Sequence, residues 1–192
     1  MLPPTCFESI RQKAQQRWDQ LVGDPDPAGP WRKLFSQVQS PRHVLSELLQ
    51  NADDAGATEA SADIRDGEFI FSHNGEDFTE NQFELLCRFG FSNKRTIHTI
   101  GFRGVGFKST FSLGDEVRIT TPTLRVSFHR KRFTEPSWID SLTTTDGRTE
   151  VSVRIQDSGR LKELKKNLLE WVHSPTSLLF FENIRRLRVQ GH

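Results

Sequence analysis

A carboxylate, a carboxamide and a second carboxylate recur along the segment 46–57, where Glu47, Asn51 and Asp54 fall at i, i+4 and i+7. With about 3.6 residues per turn, the three share one narrow stripe of a helix. A carboxamide oxygen ligates a hard cation such as magnesium, and a carboxylate one turn away can accept a proton from an attacking water. The pair therefore suits metal-assisted hydrolysis. The same spacing also suits a solvated helix face, and the stripe alone does not separate the two.

A second segment, 99–111, places Gly101, Gly104 and Gly106 ahead of a helix-like run, with Phe102, Arg103, Val105 and Phe107 between and after them. Glycines let a backbone approach a ligand closely, and the free N–H groups of a following helix start favour phosphate. Lys108 and Ser109 offer a cation and a hydroxyl. The GxxxxGK[ST] spacing is absent, and the glycine order is not that of a dinucleotide fingerprint. The polar, glycine-rich stretch 89–106 reads as a lid, a device that keeps water from a phosphate site.

The elements that must position these groups follow from local signals. The chain has 192 residues, 34% hydrophobic, enough for one domain with a sizeable core. Residues 1–40 read as an N-terminal helical extension, with a helix over 7–21 and a decisive Gly/Pro break at 23–30. Residues 41–192 read as the main domain. Ser40 and Pro41 predict the start of the stripe-bearing helix, and Gly56 its stop. Val44, Leu45, Leu48, Leu49, Ala52 and Ala55 fill the arc beside the stripe and would face a sheet. Asp66-Gly67 predicts a hairpin between strands at 60–65 and 68–72. Thr79 and Gln82 form a capping-box pattern for a helix to about Arg88. Further strands are predicted near 116–121, 124–130 and 150–155, then a helix over 161–172. Helices and antiparallel-looking strands intermix without strict alternation, which predicts an α+β two-layer sandwich over a doubly wound sheet.

Composition narrows the partners. Lys+Arg 26 against Asp+Glu 25 leaves no overall field for nucleic acid. Basic runs at 129–132 and 165–166 read as solvated faces. No apolar run reaches the length of a membrane span, the start lacks the order of a signal peptide, and Cys6 and Cys87 make no disulfide framework. A cytoplasmic protein without a membrane partner is the expectation.

Taken in order, these segments resemble the signature motifs of the GHKL (Bergerat-fold) ATPase superfamily. Glu47-Leu-Leu-Gln-Asn51-Ala-Asp-Asp54-Ala55 is similar to its N-box. The resemblance implies Glu47 as general base, Asn51 as magnesium ligand, and Asp54 with Ala55 as a wall of the nucleotide pocket. The run Gly101 to Ser109 is similar to the loop that grips phosphate and closes the lid. Thr149 is similar to the threonine on a late strand that reaches toward the adenine site.

Between them the family carries Asp-x-Gly-x-Gly; here His73-Asn74-Gly75-Glu76-Asp77-Phe78 stands in that place. Gly75 is kept, His73 replaces the aspartate that holds the adenine amino group, and Asp77 replaces the second glycine. The form is similar to the sacsin-like branch, as is Ser92-Asn93-Lys94. The resemblance then brings Asn74, Phe78 and Lys94 to the nucleotide. A neutral histidine offers a single acceptor nitrogen, tautomer permitting. The side chain of Asn74, a water or Asp54 are the other candidates for the amino group.

The resemblance implies a mostly antiparallel mixed sheet covered by helices on one face. It also implies ATP and Mg2+ as cofactors, slow hydrolysis driving a lid or dimerisation cycle, a nucleotide-dependent homodimer, and further domains after this one in a chaperone-like or defence and remodelling protein. A nucleotide-regulated interaction module with little catalysis is the alternative, and histidine phosphotransfer a more distant one.

Overall fold

Seven strands form one mixed sheet in the computed structural model, which describes residues 2–23, 41–88, 107–140 and 146–191. The Ser40 cap, the break after residue 23 and the stretch 89–106 lie outside the described residues. The strands are β1 (Glu59–Arg65), β2 (Glu68–His73), β3 (Glu116–Thr120), β4 (Arg125–His129), β5 (Arg132–Trp138), β6 (Thr149–Arg154) and β7 (Arg186–Val189). Their order is β5-β4-β3-β6-β2-β1-β7, antiparallel throughout except that β7 joins β1 in parallel. The predicted hairpin at Asp66-Gly67 is present, with φ of 50° and 77° at the two turn residues. Two positive φ angles in succession match the right-handed twist of the strands they join.

Register turns the period-two pattern into one apolar face. Ala62 opposes Phe71, Phe71 opposes Val151, Val151 opposes Ile119, and Ile119 opposes Val126. A second row runs Phe69, Val153, Val117, Phe128. The row nearest the site is different: Ala60 opposes His73, and His73 opposes Thr149. The other face carries Ser61, Ser72, Glu150 and Thr120 in the corresponding row and stays polar.

Helices cover the apolar face. They are α1 (Phe7–Gly23), α2 (Val44–Asp54), α3 (Glu80–Leu86) and α4 (Ser158–His173). In α2, Val44, Leu45, Leu48, Leu49 and Ala52 are buried, as their arc predicts, and the helix packs on β1 and on a 3-10 segment at Phe107–Ser112. A 3-10 turn at Pro41–His43 leads into α2, and Gly56, at φ 70°, ends it. The capping box of α3 is formed: the Gln82 amide donates to Thr79 Oγ1 and the Thr79 amide to Gln82 Oε1. Phe7, Ile10 and Ala14 of α1 are buried in the same core, where Phe7 stacks on Phe83 and meets Trp138 edge-on.

Strand β5 is an element the sequence reading passed over. The ladder between β4 and β5 slips at Phe128/His129, and the basic run 129–132 forms the turn between them. Pro136 lies within β5, which is tolerated because β5 is the sheet's edge strand.

Two buried polar groups anchor the segments around the site. Asp53, 5% exposed, accepts hydrogen bonds from the amides of Glu182 (3.0 Å), Asn183 (2.7 Å) and Ile184 (3.0 Å). Asn183 Nδ2 returns one to the Asp53 carbonyl (2.9 Å). The last residue but one of α2 thus holds the run into β7. Lys108 is also buried; its ammonium donates to the Arg88 carbonyl (2.5 Å) and lies 5.3 Å from the centre of the Phe133 ring. Burial lowers its pKa from 10.5 to about 8, against a smaller opposing effect of the Cys87 thiol.

Replacing Asp53 by Ala strands three amides that a carboxylate now satisfies, and should lower unfolding free energy by roughly 3 kcal/mol in a urea titration. A loss under about 0.5 kcal/mol would show the clamp to be incidental. Lys108 predicts a pH effect. Its folded pKa lies below its unfolded one, so the unfolded chain binds more protons between pH 8 and 10.5, and stability from this group rises with pH across that window. In a Cys87→Ala background, the stability difference between the chain with Lys108 and Lys108→Met should move toward Lys108 by on the order of 3 kcal/mol over that span. A flat difference contradicts a depressed lysine.

Candidate functional site

The stripe predicted from spacing exists on α2. Glu47 is half-buried at the border of the packed face, while Asn51 and Asp54 are exposed on succeeding turns. Among the described residues, no hydrogen bond or ion pair engages the side chain of Glu47 or Asn51. Asp54 accepts from Gln50 Nε2 at 3.4 Å. Among the described residues no group of three His, Cys, Asp or Glu side chains could hold a metal alone. A cation beside Asn51 would therefore draw its remaining oxygens from a ligand and water, which is how magnesium is usually held at phosphates. The donor set fits that ion: one neutral amide oxygen with a carboxylate a turn away.

The opposite end of α2 meets the end of the sheet's apolar face. Gly75 lies so close to α2 that a Cβ there would stand 2.8 Å from the Ala55 carbonyl oxygen and 3.0 Å from its methyl group. The Glu76 amide donates to the Ala55 carbonyl (2.8 Å), which fixes the loop after β2 against the helix. Only glycine permits that approach. The kept Gly75 of the second motif thus has a packing reason.

His73, at the last position of β2, is 7% exposed. Its Nδ1 accepts the Gly75 amide proton at 3.1 Å. Burial, and to a smaller extent the charge of Arg148, lowers its pKa from 6.5 to about 4, so the ring is neutral at physiological pH. Arg148 is itself held by Glu59 at 3.2 Å. Across the ladder Thr149 is 2% exposed, and its buried Oγ1 has no hydrogen-bond partner among the described residues. A buried hydroxyl left unmatched beside a neutral ring is unusual in a folded chain and marks a place where a ligand can complete the bonding.

Its neighbours are otherwise occupied. Asn74 Oδ1 accepts from the Thr58 and Glu59 amides (3.0 and 2.9 Å), and its Nδ2 donates to Thr58 Oγ1 (2.9 Å). The side chain ties β1 to β2 and is turned away from the role of holding an amino group. Asp77 accepts from the Phe78 amide (2.7 Å) and from both the amide and hydroxyl of Thr123 (3.0 and 2.7 Å). Where the family motif has a glycine, this chain has a carboxylate that pins the β3–β4 turn. Phe78 is half-buried against the core.

The glycine segment is described only from Phe107 onward; Lys94, Gly101, Phe102, Arg103, Gly104, Val105 and Gly106 lie outside the described residues. Phe107 and Phe111 sink into the core beside Phe128 and Phe133, so the segment's end is anchored against α2. Ser109 is buried there too. Lys108 is turned inward to the Arg88 carbonyl rather than outward as a phosphate cation. Sequence reasoning also missed Asp53. Its signal was there: it follows Leu49 by one turn and therefore falls on the buried arc, unlike Asp54.

No protein-family profile matches the chain. Human sacsin is 32% identical over 104 residues, which is 44% of this chain and 2% of sacsin. The DNA mismatch repair protein MutL of Chlorobium chlorochromatii (strain CaD3) is 34% identical over 154 residues, 71% of this chain and 23% of MutL. The chain thus spans less than a quarter of either relative. Among solved structures, the ATPase region of Saccharomyces cerevisiae topoisomerase II superposes with a TM-score of 0.52 at 14% identity, over 79% of this chain and 48% of that one. The same region bound to dexrazoxane gives the same values. That likeness establishes the fold, a mixed sheet with helices on its apolar face. With the N-box stripe on α2, Gly75 against Ala55 and Thr149 beside the end of β2, it joins the two sequence relatives in one conclusion: this chain belongs to the GHKL ATPase family.

Proposed function

We propose that this domain binds a purine nucleoside triphosphate, ATP by family likeness, together with magnesium, and hydrolyses it slowly to drive a conformational cycle in a larger protein. The observation that carries the reading is the pair Glu47 and Asn51, one turn apart on α2 and engaged by no other described residue. Asn51 would hold magnesium through its amide oxygen. The ion supplies charge neutralisation on the phosphates when bound. Glu47 would take the proton of the attacking water and orient that water on the terminal phosphate. Backbone amides of the glycine segment 101–106 would meet the charge that develops there. Anchorage of that segment by Phe107 and Phe111 gives it a fixed end on which to close.

Hydrolysis needs water excluded from the phosphates, so closure of the stretch 89–106, a second copy of the chain, or a basic group from another domain would raise the rate. A cytoplasmic, chaperone-like or remodelling setting agrees with the partial likeness to sacsin and MutL. No helix among the described residues is long and apolar enough to cross a membrane.

Calorimetric titration with non-hydrolysable triphosphates, with and without magnesium, tests the reading. Glu47→Ala should leave affinity within about twofold and lower turnover at least about 100-fold. Turnover unchanged in that variant would sink the assignment of the base. Asn51→Ala should abolish the gain in affinity that magnesium gives the parent chain, while triphosphate still binds weakly in chelator. Binding without measurable turnover in the longer protein would leave a nucleotide-regulated interaction module.

A further inference from the structure

Asn51 stands in the last turn of α2, and terminal turns are the part of a helix that opens most readily. The helix brings little of its own to hold that turn. No side chain caps its start, and no basic residue lies in its last turn. Asp53 and Asp54 instead place two carboxylates there, where the helix dipole disfavours negative charge. The turn is held from outside. Asp53 takes the amides of Glu182, Asn183 and Ile184, and Asn183 Nδ2 returns a bond to the Asp53 carbonyl. The Asn51 carbonyl accepts the Ala55 amide (3.1 Å), and the Ala55 carbonyl accepts the Glu76 amide of the loop after β2 (2.8 Å). Both ties act beside Asn51, whereas Glu47 lies a turn back, between Leu45, Leu48 and Leu49 of the buried arc.

Resting on the nucleotide-site reading above, we infer that Asp53 is a positioning residue for the magnesium ligand. By fastening the last turn of α2 to 182–184, it fixes the direction in which the Asn51 carboxamide points. Asp53 is buried and its oxygens are taken by the three amides, so it acts through the helix and not as a ligand. A negative charge that the helix end disfavours is kept because those amides answer it. The coupling is reciprocal. Loosening 182–184 frees Asn51, and an ion held by Asn51 steadies 182–184 and the entry to β7.

The test separates position from stability by working where every variant is fully folded. Calorimetric titration with the β,γ-imido analogue of ATP, in magnesium and in chelator, gives the gain in affinity that the ion brings. Asp53→Ala should cut that gain at least about fivefold and leave affinity in chelator within about twofold. Asp53→Asn, which keeps one acceptor oxygen, should fall between the parent and Asp53→Ala. Val126→Ala, a core truncation in β4, should keep the parent's gain although it too costs stability. Without any ligand, amide hydrogen exchange at Ala55, Gly56 and Ala57 should quicken in Asp53→Asn while that at Leu48 and Leu49 holds. A parent-like gain in folded Asp53→Ala, or an equal loss in Val126→Ala, overturns the inference, and so does unchanged exchange at 55–57. Where neither Asp53 variant folds, the parent decides. The analogue with magnesium should slow exchange of the 182–184 amides more than the analogue in chelator, and no difference removes Asp53 from the role. A parent that binds the analogue with no gain from magnesium overturns the magnesium reading, and one that binds none overturns the nucleotide reading; the inference falls with either.

Discussion

The carboxylate of Asp53 is the point at which two distant parts of the chain are made one structure. It receives three consecutive backbone amides from 182–184, at the entry to β7, from a position one residue before the end of α2. Consecutive amides satisfied by one carboxylate are a rigid fixture, because each bond restricts the others and the charge strengthens them. β7 follows directly and pairs with β1 in parallel, the sheet's one parallel pairing among the described strands. The C-terminal end of α2 is therefore tied both to the sheet's β7 edge and, through Ala55, to the loop after β2. Everything that the stripe of α2 does depends on that end being still.

The departures from the family's second motif share a logic. Each substituted residue is used by the fold. Asp77, in place of a glycine, closes the β3–β4 turn through Thr123. Asn74 stitches β1 to β2. His73 bonds the Gly75 amide and is kept neutral by burial. Here the acceptor atom Nδ1 is turned to the backbone. The stripe of α2 shows no such exchange, since among the described residues the side chains of Glu47 and Asn51 bond no other group.

Much of this was legible in the residues. The buried arc of α2, the Asp66-Gly67 hairpin and the capping box at Thr79 are local signals with local causes, and the structure carries each of them. Strand β5 was not legible, because Arg132 to Trp138 holds a proline and opens on a basic run; only its edge position makes a strand there acceptable. The two acidic neighbours Asp53 and Asp54 look alike in sequence. One turn of helical phase sends the first into the core and the second to solvent, and the partner of Asp53 lies 130 residues on at Asn183, beyond any local pattern. Lys108 misled for the same reason: its place after the glycines suggests a phosphate cation, but its partner is the Arg88 carbonyl, at the far side of the stretch 89–106.

That last contact joins two elements far apart in the chain. Arg88 and Lys108 flank the stretch 89–106, and the bond between them fixes the separation of its two ends. Lys108 is buried, and among the described residues the cost of burying its ammonium is met by a carbonyl and an aromatic face rather than by a counter-charge. Each of the two points is itself fixed, Lys108 between Phe107 and Phe111 in the core and Arg88 directly after the capped helix α3.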